Sequence, residues 1–206
     1  MADQYVVAME GLESFNALDT LGGKIVTVAR QTINSAVRRT RTASAKEIRR
    51  QVNFPANYLS GGNSRLSISK FATNSDLEAR ITGRSRPTSL ARFIHGTPRA
   101  GGGAAVSQGV NVEVKPGHAR RLPRAFVMKL RAGSGDGGGF NLGLAIRLRD
   151  GKKPQRAYRP VALGKNLWLL YGPSVDQVFK AVRGQVAPDA ESFMADEFTR
   201  LMELEL

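Results

Sequence analysis

The chain has no cysteine. Disulfide staples, thiolate nucleophiles and cysteine-ligated metals are excluded, and cysteine usage carries no sign of a redox compartment. Histidine is nearly absent: His95 and His118 stand alone in basic, glycine- or proline-containing stretches. Neither has a second histidine at metal-ligand spacing. Carboxylates are scarce through the middle of the chain, so no pair is placed for acid–base work, and the clusters at the two ends read as solvated helix faces. No apolar run approaches the ~20 residues of a membrane-spanning helix. The opening MADQYVVAMEGLE lacks a basic segment followed by an apolar run, so no secretory signal is expected. The expectation is a soluble protein acting in a cytoplasm or in an assembly built there.

Enzymatic motifs are equally sparse. No spacing supports a His/Ser pairing. Two glycine-rich stretches, AGGGAAVSQG at 100–109 and AGSGDGGG at 132–139, invite comparison with a phosphate-binding loop. Such a loop needs Lys and Ser/Thr after its last glycine. AGSGDGGGFN has neither, and Gly164-Lys165 lacks both the earlier glycine and the hydroxyl. Both stretches bury little apolar surface and are expected to be mobile, either as plain loops or as loops that order against a partner. No catalysis, metal or cofactor is expected.

What the chain has in excess is positive charge: 31 Lys and Arg against 17 Asp and Glu, a net of +14. Its placement is uneven. Residues 1–19 carry four acids and no base; residues 20–165 carry 28 bases against six acids; residues 166–206 carry three bases and seven acids. A basic middle between acidic ends fits a polyanionic partner such as DNA or RNA. It fits equally a basic surface held against the acidic ends of a neighbouring copy.

With 206 residues and 41% apolar content the chain is expected to form a single domain, with flexible loops at about 100–109 and 132–139. Residues 5–10 read as a short strand. Apolar residues at helical spacing mark a long helix over Lys24–Val52, with Gly22-Gly23 as a break or kink before it and Asn53-Phe54-Pro55 as its stop. The period then changes to two. Leu66 and Ile68; Leu77, Ala79 and Ile81; Val110, Val112 and Val114; Phe126, Met128 and Leu130; and Leu142, Leu144, Ile146 and Leu148 each alternate with other residues. Five such segments without intervening helices predict a mainly antiparallel sheet. The fold class is α+β, a long N-terminal helix packed on that sheet, with C-terminal helices. Those helices are predicted as two pieces, from Ser174 to about Arg183 with Gly184 as stop, and from Pro188 to about Leu204.

Two stretches carry candidate functional residues. In LWLLYGPSVDQVF, Leu167 to Tyr171 read as a buried strand, Gly172-Pro173 stops it, and Ser174 caps a helix with Gln177 as its capping-box partner. Tyr171 and Phe179 read as core anchors before contact residues, and Trp168 is expected in the interior. In the second half of the long helix, Arg38, Arg39, Arg41, Lys46, Arg49 and Arg50 place six cations within thirteen residues. They repel one another unless anions are near. Phosphates would relieve this in a salt-dependent way, whereas the plainer alternative is a solvated face or a protein contact. No aromatics interleave with these charges and no groove-reading motif is present, so any nucleic-acid contact would be insensitive to sequence.

Taken in order, the opening strand with Gly11-Leu12-Glu13, the long basic helix, NFPANYL at 53–59, SRPTSLARF at 85–93, LPRAFVMKL at 122–130 and LYGPSVDQVF at 170–179 before an amphipathic C-terminal helix resemble the minor tail protein Z family of lambda-like tailed phages. The resemblance covers nearly the whole chain and rests on the ordered set, since each motif alone is loose. The glycine-rich stretches depart from any tight pattern. The resemblance implies a structural virion protein, a neck or tail-completion subunit at the head-proximal end of the tail, related in fold to head–tail connector and tail terminator proteins. It implies a homo-oligomeric ring of about six or twelve copies, each presenting one face to a different face of the next. Adjacent portal, connector, terminator or tail-tube proteins would be its neighbours, with genomic DNA passing through the channel and no membrane involved. The cations of Arg38–Arg50 would then serve inter-subunit contacts or face the DNA. The LYGPSV turn, the C-terminal helix and the glycine-rich loops would serve assembly. The runner-up is a small basic protein that binds nucleic acid without sequence preference.

Overall fold

A computed structural model describes residues 4–8, 19–60, 64–95, 109–134, 140–149 and 152–205. The helical periodicity forms α1 (Asp19–Gln51). Ile25, Val28, Ala29, Ile33, Ala36, Val37 and Ile48 lie on its buried face. The helix starts before Lys24 and runs through Gly22-Gly23 instead of breaking there. A glycine inside a helix costs about 1 kcal/mol. Burying Ile25 and Val28 just beyond returns about 1.5–3 kcal/mol each. Pro55 ends the helix as expected, followed by one helical turn, α2 (Ala56–Leu59).

The strands are β1 (Gln4–Ala8), β2 (Leu66–Lys70), β3 (Glu78–Gly83), β4 (Val110–Lys115), β5 (His118–Leu122), β6 (Ala125–Ser134), β7 (Phe140–Arg147), β8 (Val161–Gly164) and β9 (Leu167–Leu170). Short 3-10 turns occur at Leu90–Phe93 and Arg156–Tyr158, and α3 (Val175–Glu205) closes the chain. Every pairing is antiparallel, and the class is α+β. The strands divide among three sheets, ordered β1-β3-β2, β4-β5 and β6-β7-β9-β8. Each of the five alternating segments falls on a strand, with only Leu77 and Leu148 just beyond the strand ends; β5 and β8 come in addition.

The chain folds as two compact units. The first gathers Met1–Ile48, Ser64–Ser85 and Asp176–Leu206. Its core joins the buried face of α1 to Leu66, Ala79 and Ile81 of the β1-β3-β2 sheet and to Val178, Phe179, Val182, Val186 and Ala190 of α3. The Asn34 side chain donates to the Ala72 carbonyl and accepts from the Ala72 N–H, pinning α1 just beyond β2. Lys24 Nζ donates to the Glu205 carbonyl, and Arg39 lies over the Phe193 ring, so α1 and α3 run antiparallel side by side.

The second unit gathers Arg49–Asn63 and Arg86–Val175. Its core holds Phe54, Tyr58, Leu59, Leu90, Phe93, Val112, Leu122, Ala125, Val127, Leu144, Leu169 and Leu170. Gly143 of β7 is needed for close packing: a Cβ there would meet Leu169 Cδ2 at 2.8 Å and Leu130 Cδ1 at 3.0 Å. The β4-β5 ribbon is tied in through Ile94, which bridges to Val112, and through the Asn53 N–H, which donates to the Val114 carbonyl at 2.8 Å.

Three expectations need correction. The C-terminal helices are one continuous helix, with Gly184 and Pro188 inside it. Pro188 lacks the N–H that would reach the Gly184 carbonyl, and Gly184 is exposed, so water can satisfy that carbonyl. Trp168 is half-buried, paired across strands with Ile146 and Ala162, while Leu169 and Leu170 take the interior positions. The stretch 132–139 begins as strand, since β6 reaches Ser134. The remainder of that stretch, and residues 100–108 of the other, lie outside the described residues.

Candidate functional site

Helix geometry places Arg38, Arg39, Lys46, Arg49 and Arg50 within an arc of about 120° on α1. All five are exposed. Arg41 lies to the side, half-buried, and its Nε donates to the Leu66 carbonyl of β2 at 3.1 Å. Arg38 sits 4.9 Å from the Phe71 ring centre and donates to the Asn34 carbonyl; Arg39 sits 4.7 Å from that of Phe193. These three guanidiniums therefore hold the first unit together through cation–π contacts and a backbone hydrogen bond. Arg49 and Arg50 belong to the second unit. Beside Arg38, an open groove of about 280 Å³ runs between α1 and α3, lined by Arg30, Asn34, Glu197 and Leu201 among others. Glu197 is already engaged: both its oxygens accept from Arg200, whose hydrogen bonds hold the carboxyl below its usual pKa.

The LYGPSV turn lies in the interior of the second unit. Gly172 and Ser174 are buried, and Tyr171 is half-buried. The Gly172 N–H donates to the Thr88 carbonyl at 2.7 Å, the Thr88 N–H to the Pro173 carbonyl at 3.4 Å, and the Tyr171 N–H to the Tyr158 carbonyl at 2.8 Å. A Cβ on Gly172 would meet Phe93 at 3.1 Å and Leu90 at 3.2 Å. Phe93 packs on Phe54, and the Tyr58 and Thr88 hydroxyls are 3.4 Å apart. NFPANYL, SRPTSLARF and the LYGPS part of LYGPSVDQVF thus meet in one core. Ser174 directly precedes α3; in that helix Gln177 is exposed and Phe179 is buried in the first unit.

The excess of positive charge belongs to the second unit, which takes in Arg49 and Arg50 of α1. The first unit contains 13 Lys and Arg against 14 Asp and Glu, a net of −1; the second contains 18 against three, a net of +15. Within the second unit, β5 exposes His118, Ala119, Arg120 and Arg121, burying only Leu122. Lys115 and Arg124 extend this exposed basic run on either side. Arg120 lies 5.8 Å from the Tyr158 ring centre, beside Arg156 and Arg159, both exposed. Arg124 and Arg159 have positive φ, 65° and 41°, in the left-handed region that costs a residue with a Cβ about 1–2 kcal/mol. They are the non-glycine positions among the described residues with that conformation. Sequence reasoning passed over this ribbon because HARRL shows no alternation. Pro116-Gly117 between two short runs was the available signal for a hairpin, and Gly117 does take φ +76°.

His95 Nδ1 lies 3.3 Å from Glu113 Oε2, and Glu113 Oε1 accepts from the Gly117 N–H. This arrangement holds the β4–β5 turn. Among the described residues no group of three or more His, Cys, Asp and Glu is placed to hold a metal ion, and no helix is long and apolar enough to cross a membrane. No family model, curated protein or solved structure matches the chain.

Proposed function

We propose that the chain is a structural subunit of a tailed-phage virion, a neck or tail-completion protein of the minor tail protein Z type. It forms a homo-oligomeric ring at the head-proximal end of the tail, beside portal, connector, terminator or tail-tube proteins, and lets genomic DNA pass. It is assembled in the host cytoplasm and has no catalytic role. The observation that carries this reading is the ordered set of motifs, three of which contribute to one connected core. Motifs that build a shared interior mark a common fold, which is where a family likeness should reside.

The charge partition supports assembly. The acids of α3 on one copy complement the basic second unit of the next, and such complementarity sets orientation in a cyclic ring. The same partition favours a second reading, a free-standing nucleic-acid-binding protein, because a unit of net +15 attracts polyanions without any partner.

Light scattering of the purified protein at low and high salt, without nucleic acid, separates the two. A ring-sized mass is expected, and its value distinguishes six copies from twelve. A monomer at every salt concentration that still binds DNA overturns the virion reading in favour of the binder.

A further inference from the structure

We propose that the groove between α1 and α3 binds a compact phosphate-bearing anion against Arg30. The proposal goes beyond the virion reading and does not rest on it, since every residue it uses lies in the first unit.

Three observations converge. First, Arg30 lines the groove half-buried, and its Nε is sealed from solvent without a hydrogen-bond partner. A guanidinium keeps its charge at any ordinary pH. A charge drawn partly out of water is costly unless a counter-charge faces it. Second, the fold supplies no such counter-charge among the described residues. Glu197, the acid on the groove wall, gives both of its oxygens to Arg200. Arg38, about two helical turns along α1, adds a second positive charge. It meets the Asn34 carbonyl and the Phe71 ring, neither of which carries a negative charge. Third, the groove offers donors that the fold leaves unused. The Gln31 amide and the Ser35 hydroxyl line it, and neither side chain is hydrogen-bonded to a described residue.

The chemistry selects the ligand. A guanidinium, an amide and a hydroxyl together offer more donors than the two oxygens of a carboxylate use, and they suit the three acceptor oxygens of a phosphate group. The groove is open to solvent, and its volume of about 280 Å³ admits such a group with a small organic remainder. A long polyanion is disfavoured. Residues 189–205 of α3 carry six acids against one base, so a phosphate chain running along the groove would meet like charge.

The test is isothermal titration calorimetry of the full chain with inorganic phosphate, at constant ionic strength and with sodium chloride as reference. Saturable binding is expected, together with a melting temperature that rises with phosphate concentration. Arg30→Gln is expected to weaken binding about tenfold or more, because hydrogen bonds to a charged group are lost. Without phosphate its melting temperature should equal or exceed the parent's, because a partly buried, unanswered charge is gone. Ser35→Ala is expected to weaken binding about threefold. Arg183→Gln, which removes an exposed cation of the same unit away from the groove, should leave binding unchanged. Should Arg30→Gln melt early, Gln31→Glu at an exposed position gives the reading instead. Its carboxylate supplies the missing counter-charge, so phosphate binding is lost while the melting temperature in phosphate-free buffer rises.

Absence of saturable binding by the parent overturns the proposal. So does parent-like binding by Arg30→Gln or Gln31→Glu, an equal loss in Arg183→Gln, or chloride that acts as well as phosphate. Acetate that binds as tightly as phosphate overturns the assignment to a phosphate group. A mixed-sequence DNA duplex that displaces phosphate from the parent assigns the groove to nucleic acid and overturns the compact ligand.

Discussion

The first unit balances 13 bases with 14 acids, and its ion pairs lie on its own surface: Glu78 with Arg80, Asp76 with Lys70, Glu197 with Arg200. The second unit has 18 bases and three acids; Arg92 and Arg120 lie over the Tyr58 and Tyr158 rings, and β5 exposes Arg120 and Arg121. Both units use the same materials, an antiparallel sheet and a small apolar core. They differ in what satisfies their charge. A unit with as many acids as bases can answer its cations with carboxylates of its own, whereas a unit of net +15 has too few acids to do so. The difference teaches that the net positive charge of this protein belongs to one unit.

Substitutions can break or sharpen that contrast. The largest expected effect is Phe54→Ala, which empties the aromatic cluster of the second unit and should cost about 3–5 kcal/mol. Hydrogen exchange should show protection falling in β6 and β7 well before it falls over Val28–Val37. Equal loss in both places would mean that the two cores open together. In the first unit, Pro188→Ala should raise stability by up to about 3 kcal/mol in urea unfolding, because it restores a helix hydrogen bond to the Gly184 carbonyl. No gain would mean that α3 depends on the distortion at Pro188.

Gly143→Ala should destabilise the second unit by about 1–3 kcal/mol, since its Cβ drives into Leu169 and Leu130. Gly23→Ala in the first unit meets nothing within 4 Å and should stabilise by about 1 kcal/mol, visible as a rise in melting temperature.

The smallest effect is acid titration. Hydrogen bonds from Lys70, Arg80 and Arg200 hold Asp76, Glu78 and Glu197 below their usual pKa. Groups depressed on folding contribute stability that is complete above the ordinary carboxylate range and is lost as pH falls through their folded values. All three are in the first unit, so Glu78→Gln should flatten the acid limb of a pH–stability profile. An unchanged limb would place its origin elsewhere.

Much of the fold was legible because its signals are local. α1 could be read from apolar spacing and from the Asn53-Phe54-Pro55 stop, and β2, β3, β4, β6 and β7 from alternation. β5 escaped because a strand exposed on both sides has no reason to alternate. α3 was read as two helices because Gly184 and Pro188 are each strong breakers alone, while together they leave only an exposed carbonyl for water to satisfy. Tyr171, Gly172, Pro173 and Ser174 were recognisable as a turn, but only the contacts of Gly172 with Phe93, Leu90 and Thr88 place that turn in an interior.

The candidate site follows the same division. That the protein is basic, lacks cysteine and favours antiparallel strands was determined by the sequence alone, since composition and periodicity need no partners. Which cations share a unit was decided by the tertiary structure. The first unit is assembled from both ends of the chain and an insert at Ser64–Ser85, so the acids near the C-terminus offset the cations of α1 up to Lys46. A charge count along contiguous residues cannot reveal this, because electrostatic interaction depends on distance in space, and folding brings together segments that the chain holds far apart.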